Sequence, residues 1–111
     1  MEKEAVIKLK KALDDKFALD IVILDIGQVS TMADYFVIAT AANTPQMTAL
    51  TETTLEVLES HDFRLSHIEG MRLAKWVLLD FGSIVVHFFD KESREFYNIE
   101  RIWGDAPIVE S

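Results

Sequence analysis

Two stretches of the chain carry apolar residues at helical spacing, so that one side faces a core and the other faces water. In the first stretch, the inward positions are Ala5, Leu9, Ala12, Leu13 and Phe17. In the second, they are Met47, Leu50, Thr51, Thr54, Leu55 and Leu58. Thr44 followed by Pro45 predicts the start of this second helix, with Thr44 as its N-cap.

Runs of β-branched, leucine and aromatic residues predict five strands. Residues 21–26 form a continuous apolar run, which is typical of a strand covered on both faces. Residues 35–40 predict a second strand, and residues 65–68 predict a short third one. Two apolar runs at residues 76–79 and 84–89, separated by a turn that contains glycine, predict a hairpin.

The order of these elements predicts one α/β domain in which helices flank a mixed sheet. A helical tail follows the hairpin, with Asp90 or Ser93 as its predicted cap. The chain of 111 residues is long enough for one core and too short for a second domain. We expect this domain to span residues 1–106 and residues 107–111 to form a frayed tail.

The charge balance narrows the choice of partner. Nineteen acidic residues against 11 basic ones give a net charge of −8. Such a chain repels nucleic acid and suits a basic protein partner, although plain solubility is the simpler explanation of the charge. The absence of cysteine, of a long apolar run and of a basic leader predicts a reduced, cytoplasmic protein without membrane contact.

The sequence holds no familiar catalytic or metal-binding pattern, so we predict no enzyme activity, metal or cofactor. There is no nucleophile elbow, phosphate-binding loop or histidine pair at metal-ligand spacing. His61 and His67 are expected at the surface. His87 interrupts an apolar strand, which indicates either a partly buried histidine bonded to a backbone or carboxylate group, or a place at a partner surface.

The strand pattern resembles the nucleotidyltransferase fold, whose enzymes bind metal ions through an Asp-x-Asp pair. The corresponding segment here reads Asp34-Tyr35-Phe36, with an aromatic residue in place of the second carboxylate. We therefore interpret Asp34 as a residue at the start of a strand, in a degenerate version of that fold that has lost its chemistry.

Alternation along the hairpin assigns its side chains to two faces of the sheet. Trp76, Leu78 and Asp80 share one face, while Val77, Leu79 and Phe81 share the other. Trp76 suits either a core or a protein interface. Asp80 suits either its own turn or an incoming Arg or Lys, and the sequence leaves both alternatives open.

Taken together, the segments resemble the ribosomal silencing factor (Iojap, RsfS) family from the first helix to Ala106. The residues that carry the resemblance are Asp20-Ile21, Leu24-Asp25, Ser30, Ala33 to Thr40, Glu69-Gly70, Trp76 to Gly82, Val85 to Phe89, Arg94, Phe96-Tyr97, Ile99-Glu100 and Trp103. Ser83 stands where the family often has Asp, and Lys75 stands where a small or polar residue is common. Either difference would alter affinity.

The resemblance implies a protein without enzyme activity that binds the large ribosomal subunit through ribosomal protein L-fourteen. Such a protein blocks joining of the small subunit, lowers translation when nutrients are scarce, and forms a homodimer when free. By resemblance, the partner surface comprises Trp76, Leu78, Asp80 and Phe81, with Tyr97 and Trp103 in support. The alternatives are a large-subunit assembly factor, a nucleotide-binding transferase remnant that needs Asp34, and an adaptor for another basic protein.

Overall fold

The computed structural model describes residues 1–110 and confirms the predicted α/β class, with a mixed sheet flanked by helices. The elements are α1 (Glu2–Asp15), β1 (Leu19–Asp25), β2 (Tyr35–Thr40), α2 (Thr44–Ser60), β3 (His67–Glu69), β4 (Trp76–Asp80), β5 (Ile84–Phe89), α3 (Lys91–Tyr97) and α4 (Ile99–Ile102). A short 3-10 turn, Ile26–Gln28, follows β1.

The five strands form one sheet in the order β1-β2-β5-β4-β3. Strands β2 and β5 pair in parallel, and the other three pairings are antiparallel. The chain between these two parallel strands runs through α2, β3 and β4, which supplies the long connection that parallel pairing needs. This topology places β4, with Trp76, Leu78 and Asp80, one strand in from the β3 edge.

One face of the sheet, the closed face, is covered by α1 and α2. Its core comprises inward residues of both helices together with Ile23, Val37, Ala39, Val77, Leu79, Phe81, Ile84, Val86 and Phe88. Most of these side chains have no solvent exposure, which is the packing expected of a structural core.

The opposite face, the open face, carries Leu24, Phe36, Ile38, Trp76, Leu78, Val85, His87 and Phe89. The segment from α3 to Ala106 covers only part of it, mainly through Ile99, Trp103 and Ala106. Trp76 and Leu78 are left partly exposed because the covering segment is short and α4 has only four residues.

Helix starts and ends differ in detail from the sequence expectations. The N-cap of α2 is Asn43, whose side chain accepts a hydrogen bond from the Gln46 backbone N–H at 2.8 Å, so the predicted cap Thr44 is the first helical residue. Asp90 caps α3 as one of the two predicted candidates. Phe17 adopts a left-handed φ of 66° after α1 and is 80% exposed, so its assignment to the apolar stripe was wrong.

The chain end also differs from expectation where the structure describes it. The backbone N–H of Asp25 donates to the Pro107 carbonyl at 2.8 Å, and that of Val109 donates to the Ile23 carbonyl at 2.9 Å. Residues 107–109 therefore pair with β1 rather than fraying, and Val109 is buried. Ser111, the last residue of the predicted tail, lies outside the described residues.

Candidate partner-binding surface

Trp76 is the centre of an aromatic cluster on the open face. Its ring lies 4.9 Å from that of Phe89, its cross-strand partner on β5, and 4.7 Å from that of Tyr97 on α3. Its indole N–H donates to Nδ1 of His87 at 3.2 Å. These contacts fix one side of the ring, while its remaining surface is open to solvent. A rigid, partly exposed tryptophan of this kind is a common anchor of protein interfaces.

Gly70 allows the chain to pass close to Trp76. Its φ is +88°, and a Cβ built there would lie 1.8 Å from the Trp76 carbonyl oxygen. A residue with a Cβ does not fit here, because the clash would be with the Trp76 backbone, which cannot move aside as a flexible side chain can. The sequence pair Glu69-Gly70 thus marks the point where the chain leaves β3 beside the tryptophan.

His87 is 4% exposed and lies between Trp76 and Phe36. Burial lowers the pKa of its imidazole from the usual 6.5 to about 4, so the ring is neutral at physiological pH. Because Nδ1 accepts the bond from Trp76, the single ring proton lies on Nε2, which has no hydrogen-bond partner among residues 1–110. The predicted buried histidine is thus observed, with an indole as its partner rather than a backbone or carboxylate group.

Asp80 holds the hairpin turn. Its Oδ1 accepts a hydrogen bond from the Gly82 backbone N–H at 2.7 Å, so its role in the turn is present in the structure. The residue is partly exposed and lines a shallow cavity of about 340 Å³ together with Met32, Phe36, Ser66, Leu78, Gly82, Val85 and His87. Its carboxylate therefore remains beside apolar surface, where an incoming cation would reach it.

The predicted site residues lie together with one exception. Trp76, Leu78 and Asp80 share the open face, and Tyr97, 47% exposed, extends it. Trp103 is partly buried and meets Phe36 edge to face at 5.8 Å. Phe81 does not join them, because it belongs to the closed-face core and is 6% exposed. The alternation of β4 already assigned Phe81 to the other face.

Arg94 joins α3 to α4 through an ion pair and joins the covering segment to β2 through a hydrogen bond. Nε of Arg94 donates to Oε1 of Glu100 at 2.7 Å, and the same guanidinium donates to Oγ1 of Thr40 at 2.8 Å. The Arg94 side chain is only 13% exposed. Asn98, in a left-handed conformation with a φ of 42°, makes the bend between α3 and α4 that brings Glu100 back to Arg94.

Several exposed apolar side chains near this surface were not singled out from the sequence. They are Met32, Met71, Phe96 and Ile102, which are between 42% and 79% exposed. For Phe96 and Ile102 the available signal was the shortness of α3 and α4, since helices of seven and four residues cannot bury apolar groups on every side. Met32 and Met71 lie in loops, where periodicity gives no signal. The arrangement as a whole suits protein binding, because an apolar aromatic surface is bordered by a carboxylate.

Other candidate chemistry is sparse in residues 1–110. Asp34 is exposed and directly precedes β2, where its backbone N–H donates to the Ser83 carbonyl at 2.8 Å. Within the described part of the chain, no three His, Cys, Asp or Glu side chains form a group that could hold a metal ion. His67 is exposed as predicted, whereas His61 is partly buried with Nδ1 2.9 Å from the Val57 carbonyl. None of the described helices is both long and apolar enough to span a bilayer.

Comparison with known proteins gives consistent matches. The model of a family described as "Ribosomal silencing factor during starvation" matches residues 1–111. The protein named ribosomal silencing factor RsfS from Bacillus subtilis is 37% identical over 99% of this chain and 94% of its own length. A crystal structure of a protein from Chromobacterium violaceum superposes with a TM-score of 0.86 at 29% identity, covering 92% of this chain and 85% of that one.

A more distant relative is the mouse protein named mitochondrial assembly of ribosomal large subunit protein 1. It is 30% identical over 86% of this chain, which spans 43% of the mouse protein. The family match covers every strand of the sheet and the segment that partly covers its open face. This chain therefore belongs to the ribosomal silencing factor (RsfS) family.

Proposed function

We propose that this protein represses translation by binding the large ribosomal subunit through ribosomal protein L-fourteen and sterically blocking the small subunit. Family membership supports a ribosomal role. The observation that carries the choice of surface is Trp76, which is held rigidly by Phe89, His87 and Tyr97 and yet stays partly exposed on the open face. Such a preorganised anchor loses little conformational freedom when a partner covers it.

The proposed contact surface comprises Trp76, Leu78, Asp80 and Tyr97. Trp103 packs against Phe36, next to this surface, and stabilises it. Phe81 is left out of the contact set because its side chain is buried in the closed-face core. The net charge of −8 favours a basic partner, since opposite potentials raise encounter rates and fix the orientation of docking.

The proposed mechanism needs no bond to be made or broken. A domain bound to the large subunit occupies space that the small subunit must enter, so repression follows from occupancy alone. The same proposal implies a cytoplasmic protein without cofactor or enzyme activity, and a homodimer when it is not bound. A role in large-subunit assembly is the second candidate, and the name of the mouse relative favours it.

Co-sedimentation tests this function directly. The purified protein is mixed with isolated large or small subunits and centrifuged, and joining of the two subunits is then measured in sucrose gradients. We expect binding to large subunits alone and fewer joined ribosomes. Binding to neither subunit would contradict the proposal. Binding to large subunits without any loss of joining would favour the assembly role.

Variants locate the surface in the same assay. Trp76→Ala is expected to weaken binding by at least about 2 kcal/mol if the residue is an interface hot spot. Tyr97→Ala tests the same surface with less risk to folding, because Tyr97 is 47% exposed. Phe17→Ala is the matched control, since it removes an aromatic ring that is 80% exposed at the end of α1. Equal binding by all three folded variants would place the interface elsewhere.

A further inference from the structure

The four methionines of this chain have very different environments. Met1 is 89% exposed, Met32 is 64% exposed and Met71 is 42% exposed, whereas Met47 is 2% exposed within the closed-face core. Exposed apolar methionines are not needed for the core. We therefore compare the positions of Met32 and Met71 with the proposed contact surface.

Met32 lies at one end of the proposed contact surface. It lines the cavity of about 340 Å³ whose walls include Leu78 and Asp80. The thioether thus lies beside two of the proposed contact residues. Methionine suits such a place, because its flexible, polarizable side chain adapts to the shape of a partner.

Met71 lies next to the backbone contact between Gly70 and Trp76. It directly follows Gly70, whose Cα is so close to Trp76 that a Cβ would lie 1.8 Å from the Trp76 carbonyl oxygen. Gly70, Trp76 and Leu78 also line a second cavity of about 220 Å³. Met32 and the backbone of Met71 therefore lie near opposite ends of β4, Met32 beside Asp80 and Met71 beside Trp76.

We propose that Met32 and Met71 form a peroxide-sensitive modification site whose oxidation releases the protein from its partner. This inference rests on the proposed function, because it assigns regulation to the same surface. In the step itself, a sulfur lone pair attacks one oxygen of hydrogen peroxide and the O–O bond breaks. The products are methionine sulfoxide and water, so sulfur is oxidised and peroxide is reduced. Methionine sulfoxide reductases reverse the change.

Oxidation acts on binding rather than on folding. A sulfoxide oxygen is a strong polar acceptor, and covering it with a partner costs free energy unless the partner supplies a donor. Met32 and Met71 are exposed in the free protein, so their sulfoxides remain hydrated there. Met47 is protected from peroxide by its burial, which leaves the closed-face core intact.

Peptide mass spectrometry after graded peroxide treatment tests the chemistry. We expect Met1, Met32 and Met71 to gain one oxygen each while Met47 stays reduced in the folded protein. Circular dichroism of the treated protein should remain that of the untreated one. Oxidation of Met47 at the same rate as Met32, or loss of fold at low peroxide, would overturn the proposal.

Co-sedimentation with large subunits tests the consequence. Oxidised protein is expected to bind about tenfold more weakly, a change equivalent to about 1.4 kcal/mol. Treatment with methionine sulfoxide reductases should restore the binding. A double variant, Met32→Leu with Met71→Leu, keeps the apolar volume but has no thioether at either position, and it should bind equally well before and after peroxide. Met1 stays oxidisable in this variant and serves as an internal control.

The outcomes separate the two proposals. If untreated protein does not bind large subunits, the proposed function fails, whatever the oxidation map shows. If untreated protein binds and its oxidised form binds equally well, only the oxidation proposal fails. It also fails if peroxide weakens the double variant as much as the original protein, because the sensitive group then lies elsewhere.

Discussion

The two faces of the sheet are built from the same strands, but helices cover one face fully and the other only in part. On β4, Val77 and Leu79 point to the closed face and have no exposure, while Trp76 and Leu78 point to the open face and stay partly exposed. The closed face is covered by helices of 14 and 17 residues, whereas the open face is covered by helices of seven and four. The amount of covering helix thus separates a closed core from a face that keeps partly exposed apolar side chains.

The open face also carries an imidazole and a carboxylate. His87 and Asp80 lie there among aromatic and aliphatic side chains, and each makes one hydrogen bond that holds a neighbour in place. A core built for stability alone would avoid an unpartnered imidazole nitrogen. His87 is therefore a residue whose burial costs free energy on this face.

Neighbouring leucines provide the strongest test of the comparison. Leu79→Ala removes a fully buried side chain and is expected to lower the free energy of unfolding by about 2–5 kcal/mol. Leu78→Ala removes the same atoms from a partly exposed position and should cost only about 1 kcal/mol. Urea unfolding followed by circular dichroism measures both. Equal losses would show that the open face is as much a core as the closed face.

The buried imidazole of His87, on the open face, predicts that the free energy of unfolding depends on pH. Burial lowers the folded pKa of His87 from 6.5 to about 4, so neutral His87 stabilises the fold fully above pH 6.5. As the pH falls from 6.5 towards 4, the unfolded chain binds a proton that the folded protein does not, and stability falls by up to about 3 kcal/mol. Urea titrations at several pH values measure this loss.

His87→Gln is the matched variant for that experiment, because its side chain is neutral at every pH and still offers an acceptor to Trp76. Carboxylates titrate over part of the same pH range in both proteins. The two proteins are therefore compared by how steeply the free energy of unfolding changes with pH, not by its value at one pH. The variant should lack the part of the loss that lies between pH 6.5 and 4. Parallel curves for the two proteins would contradict the assignment.

A substitution of Arg94 tests whether its polar contacts hold the covering segment, α3 to Ala106, on the open face. Arg94→Lys keeps the charge but loses the planar fork that reaches Glu100 and Thr40 together, and it should cost about 2 kcal/mol. Near-UV circular dichroism should also change, because α4 and Trp103 would pack less firmly against the sheet. An unchanged spectrum and stability would mean that apolar contacts alone hold the covering segment.

Substitution of Asp80 is expected to change stability least, and it separates the role of this residue in the turn from a role in binding a cation. Asp80→Asn keeps an acceptor for the Gly82 N–H and removes the charge, so the free energy of unfolding should change by less than about 1 kcal/mol. Binding to large subunits should weaken about tenfold if the carboxylate meets a cation. A stable variant with unchanged binding would leave Asp80 with its turn role alone.

Periodicity predicted most of the framework correctly. The five strands and the two long helices were all expected, as was the division of β4 and β5 into two faces. The errors lie where the periodic pattern ends. Phe17 continues the helical spacing of α1, but the Ala18 N–H bonds back to the Leu13 carbonyl and closes the helix before Phe17 can pack. Sequence spacing does not reveal which turn will close a helix.

The candidate site was predictable in its members but not in its arrangement. Trp76, Leu78 and Asp80 follow from alternation within one strand, which is a local property. The contact of Tyr97 with Trp76 depends on the path of the chain after β5, and the indole–imidazole bond depends on the register of β4 against β5. Neither can be read from spacing, because the residues are far apart in sequence.

The sequence by itself therefore determined the elements, the face to which each strand residue points and the family to which the chain belongs. The elements and the faces depend on local geometry with fixed periods of two and 3.6 residues, whereas the family follows from the order and spacing of particular residues. Only the tertiary structure decided that one face is closed and the other partly open, so that Phe81 is core while Trp76 stays partly exposed. Those facts depend on which distant elements meet, and long-range packing sets them rather than any local preference.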